Sequence, residues 1–489
     1  MTAVGSAPVA VGAVDLGATS GRVIVGCFDG DAVTLHTVRR FPNGSQPLHG
    51  HLSWDIDALW EEVQEGLRAA GAVARELGAD GLASIGIDSW AVDYGLLTPK
   101  GERIGEVISY RDDRTDGAQD IVASRVPAAA QYDVTGLAQL PFNTVYQLAI
   151  DDRLAAAPDG TQALLVPDLI GFLLTGIRRT EMTNASTTGA LDVRTEMWSE
   201  EILAATGTHP SLFPELIAPG QILGTVSQPL ASALSIGKIP VIAVGSHDTA
   251  SAVLAVPAAE GPAAYISSGT WSLVGLELDS PVVTEQARSA GFTNERGVDG
   301  TIRFLKNVTG MWLLTECLDQ WKEAGNEHEL TALLAAAADE PEGTALIDAT
   351  DPAFIPPGNM ADRIVAAART SEGKPLHDPT PARITRCILD SLAHSYARTL
   401  RTACDLANVP LPSTLHVVGG GCQNTLLNEL TASALDLTVI AGPVEATALG
   451  NICKQLQALG FIADGRAAIR EVVRRSVTTS FHHPTPQGR

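Results

Sequence analysis

Short apolar runs broken by glycine-rich turns set the rhythm of this chain. Residues 9–14 are small and apolar, and residues 15–22 (Asp-Leu-Gly-Ala-Thr-Ser-Gly-Arg) are a small-residue turn. Residues 23–28 are apolar again, which predicts two strands around a tight connection. Helical spacing of apolar residues predicts a helix over 57–77, and a buried strand follows over 82–87, ending at Asp88-Ser89-Trp90. A short strand is predicted at 163–166 and a short helix at 168–174, closed by Gly176. A further apolar strand at 239–244 delivers Gly245-Ser246-His247-Asp248 at its C-terminal end, ahead of a helix from Thr249.

The pattern then starts again. Residues 263–266, 267–270 and 271–276 read as strand, Ser/Thr/Gly turn, strand. Setting Gly17 on Gly269 gives an offset of 269 − 17 = 252, about half the chain, which favours two similar α/β halves. Beyond it come a long helix at 384–406, a strand at 415–418 that breaks into Gly419-Gly420-Gly421, and a helix at 424–435. A strand at 437–440 and a helix at 445–459 complete the pattern, with 370–381 a surface loop and the chain after Ser476 a mobile tail. The expected domains are 5–250, carrying the phosphate turn, 251–465, carrying the triple glycine, and a tail over 466–489.

Composition narrows the partners. The chain has 489 residues, 33 Lys+Arg against 56 Asp+Glu, and a net charge of −23, a mean field that disfavours nucleic acid and anionic membranes. A small anionic ligand still fits, because backbone N–H groups and a bound cation reverse the field locally. The six cysteines form no CxxC pair and are too sparse for a disulfide scaffold, so a reducing cytoplasm is expected. The first fourteen residues lack Lys and Arg, and the longest uncharged run, 406–428, holds two prolines and three consecutive glycines. The histidines show no HxxxH or His–Cys spacing of a zinc site.

Four segments carry candidate chemistry. At 15–22, Gly17 and Gly21 permit φ > 0 and close approach, while Ala18, Thr19 and Ser20 supply N–H groups and hydroxyls without bulk, as a phosphate requires. Asp15 is placed to hold Mg²⁺; a plain hairpin turn is the equally weighted alternative. The segment is neither a Walker A loop nor a GxGxxG turn. Gly419–Gly421 leave room for a flat nucleotide, or make a tight strand-to-helix connection. Asp248 stands where an open α/β sheet places reacting groups, and a carboxylate there accepts a hydroxyl proton during phosphoryl transfer; alternatively Asp248, or Thr249, caps the next helix. Trp54-Asp55, Asp88 to Asp93 and Tyr110-Arg111-Asp112 mix aromatics with charge, which suits a polyhydroxylated ligand, although core packing claims at least one tryptophan.

Taken in order, AVDLGATSGRV at 13–23, IGIDSWAVDYGLL at 85–97, YRDDRT at 110–115, PFNTVYQL at 141–148, GSHDTASAV at 245–253, YISSGTWSLVG at 265–275, LKNVTGMWLL at 305–314 and VVGGGCQNTLLN at 417–428 resemble the FGGY carbohydrate kinases. The resemblance runs from about residue 9 to 459. It implies an α/β fold of two ribonuclease-H-like, actin-like ATPase domains with an interdomain catalytic cleft that closes on the sugar. His247 ahead of Asp248 is similar to the deoxyketose branch of that family. The implied reaction is ATP-dependent phosphorylation of L-rhamnulose at its C1 hydroxyl, with L-fuculose or another ketose as alternative acceptor. An actin-like ATPase working as chaperone or sugar sensor is the reading from a different class. The implied roles are Asp248 as proton acceptor, and Ala91, His247, Asp248, Thr249 and Asn307 on the sugar. Ala18, Thr19, Ser20, Gly21, Arg22, Thr270 and Gly420 would lie on ATP, with Asp15 toward Mg²⁺. Where members of that branch can carry an ATP-contacting glutamine, this chain has Thr315.

Overall fold

The N-terminal hairpin is the spine of the first sheet. In a computed structural model, which describes residues 7–258, 263–343, 345–370 and 372–485, the strands Val9–Leu16 and Ser20–Phe28 pair antiparallel with Asp15 opposite Arg22. The six-stranded sheet runs in the order Ile222–Thr225, Pro240–Ile242, Leu82–Ser89, Val9–Leu16, Ser20–Phe28, Val33–Pro42. Its three central strands, Pro240–Ile242, Leu82–Ser89 and Val9–Leu16, are parallel, so their C-terminal ends lie side by side. Val14, Val23, Val63, Leu67 and Ile85 are fully buried in the core between this sheet and the helix Ile56–Glu76. That helix starts where Asp55 accepts from the Ala58 N–H at 3.0 Å, which gives Asp55 a capping role.

The chain divides into two compact units. The first comprises Met1–Ala259, Leu278–Phe304 and Ala446–Val477; the second comprises Glu260–Glu277, Leu305–Glu445 and Thr478–Arg489. By packing, the helices Ala446–Ala458 and Arg466–Ser476 join the first unit. The reason is visible on the first helix. Gln455 donates to the Gly12 carbonyl at 3.0 Å, Ser84 donates to Gln455 at 2.7 Å, and a Cβ at Gly86 would collide with Asn451. The residues after Ser476 are likewise not all loose tail, since Ser480–His482 pairs with the strand Thr438–Ala441.

The second unit repeats the plan of the first. Ala263–Ser268 and Ser272–Leu278 form an antiparallel hairpin, Ala263–Ser268 pairs parallel with Thr414–Val418, and that strand pairs parallel with Thr438–Ala441. The helix Pro381–Ala407, capped by Thr380 and ended by Asn408 at φ 52°, packs against the helix Thr425–Leu435, with Ile388, Leu392 and Leu400 buried. All six cysteines are free and buried. Among the described residues no helix is long and apolar enough to cross a membrane.

Candidate active site

Three neighbouring strand ends in the first unit each carry a carboxylate. Asp15 and Asp88 are register partners on parallel strands, both buried, and the third strand leads to His247-Asp248. Backbone bonds tie the ends together: Ser89 N–H donates to the Ser246 carbonyl at 2.9 Å, and Trp90 N–H to the Leu16 carbonyl at 3.2 Å. Arg22 Nε meets Asp15 Oδ2 at 3.0 Å, and the Asn451 amide donates to Asp88 Oδ2 at 2.6 Å. Burial, and next the Asp15 carboxylate beside it, push the Asp88 carboxyl well above the ordinary carboxylate range. Among the described residues, buried Asp88 Oδ1 has no hydrogen-bond partner.

Asp248 is the accessible member, its side chain a third exposed. The helix begins at Asp248 rather than Thr249, with His247 at the N-cap position and no side-chain cap. The Asp248 carboxylate therefore does not cap; it accepts from Thr249 Oγ1 at 2.9 Å and lies 3.5 Å from His247 Nε2. The loop before it is braced by Glu181, which is buried and accepts from the Ser246 N–H at 3.0 Å and the Ser246 hydroxyl at 2.8 Å. Thr183 Oγ1 accepts from the His247 N–H at 3.2 Å.

The turn at 17–19 is open at its tip, where Thr19 is exposed and Ala18 half-buried. Neither Gly17 nor Gly21 takes a positive φ. A Cβ at Gly21 would strike the Phe41 ring and one at Gly17 would come within 3.0 Å of the Ser20 carbonyl, so both glycines serve close packing of the chain on itself. Asn43 pins the turn through the Gly17 carbonyl at 2.7 Å and the Thr19 carbonyl at 3.0 Å.

Much of the aromatic and acidic cluster is scaffold. Trp54 and Trp90 are both buried, with ring centroids 4.3 Å apart, and both indoles donate to Asp93 Oδ2, at 2.6 and 3.0 Å. Gln147 donates to Asp93 Oδ1 at 3.1 Å, so both oxygens of this buried carboxylate hold scaffold side chains. Asp112 accepts from the Leu52 and Arg114 N–H groups. Ala91 remains half-buried, next to Val92 at φ 69°. That is an unfavourable conformation for a β-branched residue, held here by Thr144, which donates to the Val92 carbonyl at 2.7 Å.

In the second unit two turns face each other across Ser268. Thr270 lies half-buried in the hairpin turn, its carbonyl accepting from the Trp312 N–H at 3.0 Å. Gly419 has φ 84°, and a Cβ at Gly421 would collide with Ser268 Oγ, a buried hydroxyl that has no hydrogen-bond partner among the described residues. Gly420 is different: it is exposed and nothing lies within 4 Å of its Cβ direction. Asn307 is half-buried on the strand Ile302–Val308. Thr315 is exposed and spends its hydroxyl on the Met311 carbonyl one turn back, at 3.2 Å.

The sequence reading put Asp15 at one strand end and His247-Asp248 at another; the fold sets those two strands in one sheet, on either side of Leu82–Ser89. It missed Asp88 as the partner of Asp15, although AVDLG and GIDSW each end a strand on Asp, and that repetition is the signal. Glu181 and Asn451 had no local signal, because their roles exist only through contacts distant in sequence.

This fold and this row of residues define a class. The chain belongs to the FGGY family of carbohydrate kinases: residues 10–255 match the family's N-terminal domain and residues 264–459 its C-terminal domain. It is 40% identical over 477 residues to a rhamnulokinase of Bacteroides thetaiotaomicron, covering 96% of this chain and 95% of that one. It is 42% identical over 480 residues to a rhamnulokinase of Klebsiella pneumoniae, covering 97% and 94%. The fold is that of a gluconate kinase from Lactobacillus acidophilus (TM-score 0.79, 18% identity, 98% and 94% covered) and of Plasmodium falciparum glycerol kinase with ADP (0.78, 15%, 97% and 94%).

Proposed function

We propose that the chain transfers the γ-phosphoryl group of ATP to the C1 hydroxyl of L-rhamnulose, giving L-rhamnulose 1-phosphate and ADP. The observation that carries this reading is the accessible, non-capping carboxylate of Asp248 at the end of a strand row, in a chain 40% identical to a rhamnulokinase along nearly its whole length. Asp248 accepts the hydroxyl proton as the hydroxyl oxygen bonds to phosphorus and the bond to the ADP oxygen breaks. A weak base that orients its partner suffices for so dissociative a transfer. His247, Thr249, Ala91 and Asn307 are assigned to the sugar, and Ala18 to Arg22, Thr270 and Gly420 to the nucleotide.

The residues fit Mg²⁺. Asp15 and Asp88 are register partners; among the described residues Asp88 Oδ1 lacks a hydrogen-bond partner, and no group of three or more His, Cys, Asp or Glu could hold a metal alone. One or two carboxylates with substrate phosphates and waters is the usual set for this ion. Asp15 and Asp88 would hold it, and when bound it would neutralise phosphate charge. A cytoplasmic location is part of the proposal.

The test is ADP release with Mg·ATP against L-rhamnulose, L-fuculose, D-xylulose, L-ribulose and glycerol. The expected result is the highest kcat/KM with L-rhamnulose. A maximum at another ketose would move the substrate and keep the reaction; no acceptor-dependent ADP would overturn the kinase reading.

A further inference from the structure

His247 is held from behind by an ion pair on two adjacent strands. Arg303, on Ile302–Val308, is completely buried, and its Nη2 lies 2.9 Å from His247 Nδ1 with the geometry of a hydrogen bond. Glu295, on Thr293–Arg296, pairs with Arg303 at 3.0 Å and lies 3.3 Å from the same Nδ1. Arg303 Nε donates to the Arg296 carbonyl at 3.1 Å, which fixes the plane of the fork. Burial acts to raise the Glu295 carboxyl, but the Arg303 guanidinium beside it holds it below its ordinary value, so the pair is ionised.

A guanidinium has five N–H donors and no acceptor. The ring nitrogen it meets at 2.9 Å must therefore offer a lone pair. Glu295 would favour a proton on Nδ1, yet its carboxylate stands closer to Arg303 than to the ring. With Nδ1 accepting, the ring proton sits on Nε2, and Nε2 is the nitrogen 3.5 Å from Asp248 Oδ1. We propose that Arg303, itself paired with Glu295, is a positioning residue that fixes His247 as the Nε2–H tautomer, so that the imidazole presents a donor toward Asp248 and the oxygen atoms of a bound ketose. The role of second-sphere partners in choosing a histidine tautomer is general. This inference rests on the assignment of Asp248 and His247 to the acceptor site.

Imidazole ¹⁵N NMR of the full-length protein carrying ¹⁵N-histidine, with His247→Gln to identify the His247 signals, reads the tautomer without any substrate. The expected spectrum shows His247 Nε2 protonated and Nδ1 not; a protonated Nδ1 with bare Nε2 would overturn the proposal. In Arg303→Met the signature should shift toward Nδ1–H, the ketose kcat/KM should fall about tenfold or more, and the KM for Mg·ATP should stay within about twofold. Unchanged ketose kinetics would overturn the positioning role. If Arg303→Met does not fold, Arg303→Lys is measured in the same way, with partial retention of the tautomer and of ketose kcat/KM expected and full wild-type values counting against. Failure of the L-rhamnulose reading appears in the acceptor panel with the tautomer unchanged, so the two failures are separable.

Discussion

Gly420 and Gly421 are chain neighbours in opposite surroundings, one facing open space and the other pressed on Ser268 Oγ. Their alanine variants should separate accordingly. Gly420→Ala should leave the melting temperature within a degree or two and raise the ATP KM about tenfold, roughly 1.4 kcal/mol of lost binding. Gly421→Ala should lower stability by about 1–3 kcal/mol, the usual cost of overpacking, and equal melting temperatures for the two variants would contradict this reading. At Asp248 the expectation is chemical. Asp248→Asn keeps the shape and removes the acceptor, so turnover should fall about 10²- to 10⁴-fold, with nucleotide affinity measured by titration calorimetry changed only a few-fold; near-normal turnover would remove Asp248 from the base role.

Between the elements, one contact couples the Asp248 helix to the rest of its unit. Gly450, on Ala446–Ala458, lies under the Ser251 carbonyl with no room for a Cβ. Gly450→Ala should therefore push the helix Asp248–Leu254 outward, lowering both melting temperature and kcat; retention of full kcat would show that the helix position is not under this control. The elements themselves were largely legible in the sequence. The 9–28 hairpin, the 57–77 helix and the 415–435 strand–turn–helix announce themselves through apolar runs ended by Asp, Gly or Asn, and each appears within a residue or two of its expected span. What was not legible is partnership. Asn451 and Gln455 read as polar positions of a C-terminal-half helix, yet both are buried against strands more than 350 residues earlier. The open chemistry of Asp93 likewise vanished, because two indoles from different segments converge on one of its oxygens. Local pattern reports which residues can pair; only the fold reports with whom.

For the molecule as a whole, Asp93 sets a pH dependence. Burial raises its carboxyl from 3.8 to about 6, although Trp54 and the other donors oppose this. The folded state thus binds a proton more tightly than the unfolded one, and stability from this source is full below about pH 4 and lost as pH rises through about 6. At about 1.4 kcal/mol per pH unit, the loss is on the order of 3 kcal/mol. Thermal unfolding of wild type and Asp93→Asn should show the variant gaining relative stability between pH 4.5 and 7.5; a constant difference would rule this out. A further consequence concerns synthesis. The first unit lacks the helices Ala446–Ala458 and Arg466–Ser476 until the ribosome has passed residue 477. Until then the faces around Gly12, Gly26 and Gly86, which the first of these helices covers, stay bare on the nascent chain. A gene cut after codon 258 should accordingly yield an aggregating product, and joining codons 278–304 and 446–477 to that fragment through flexible linkers should recover soluble, folded protein.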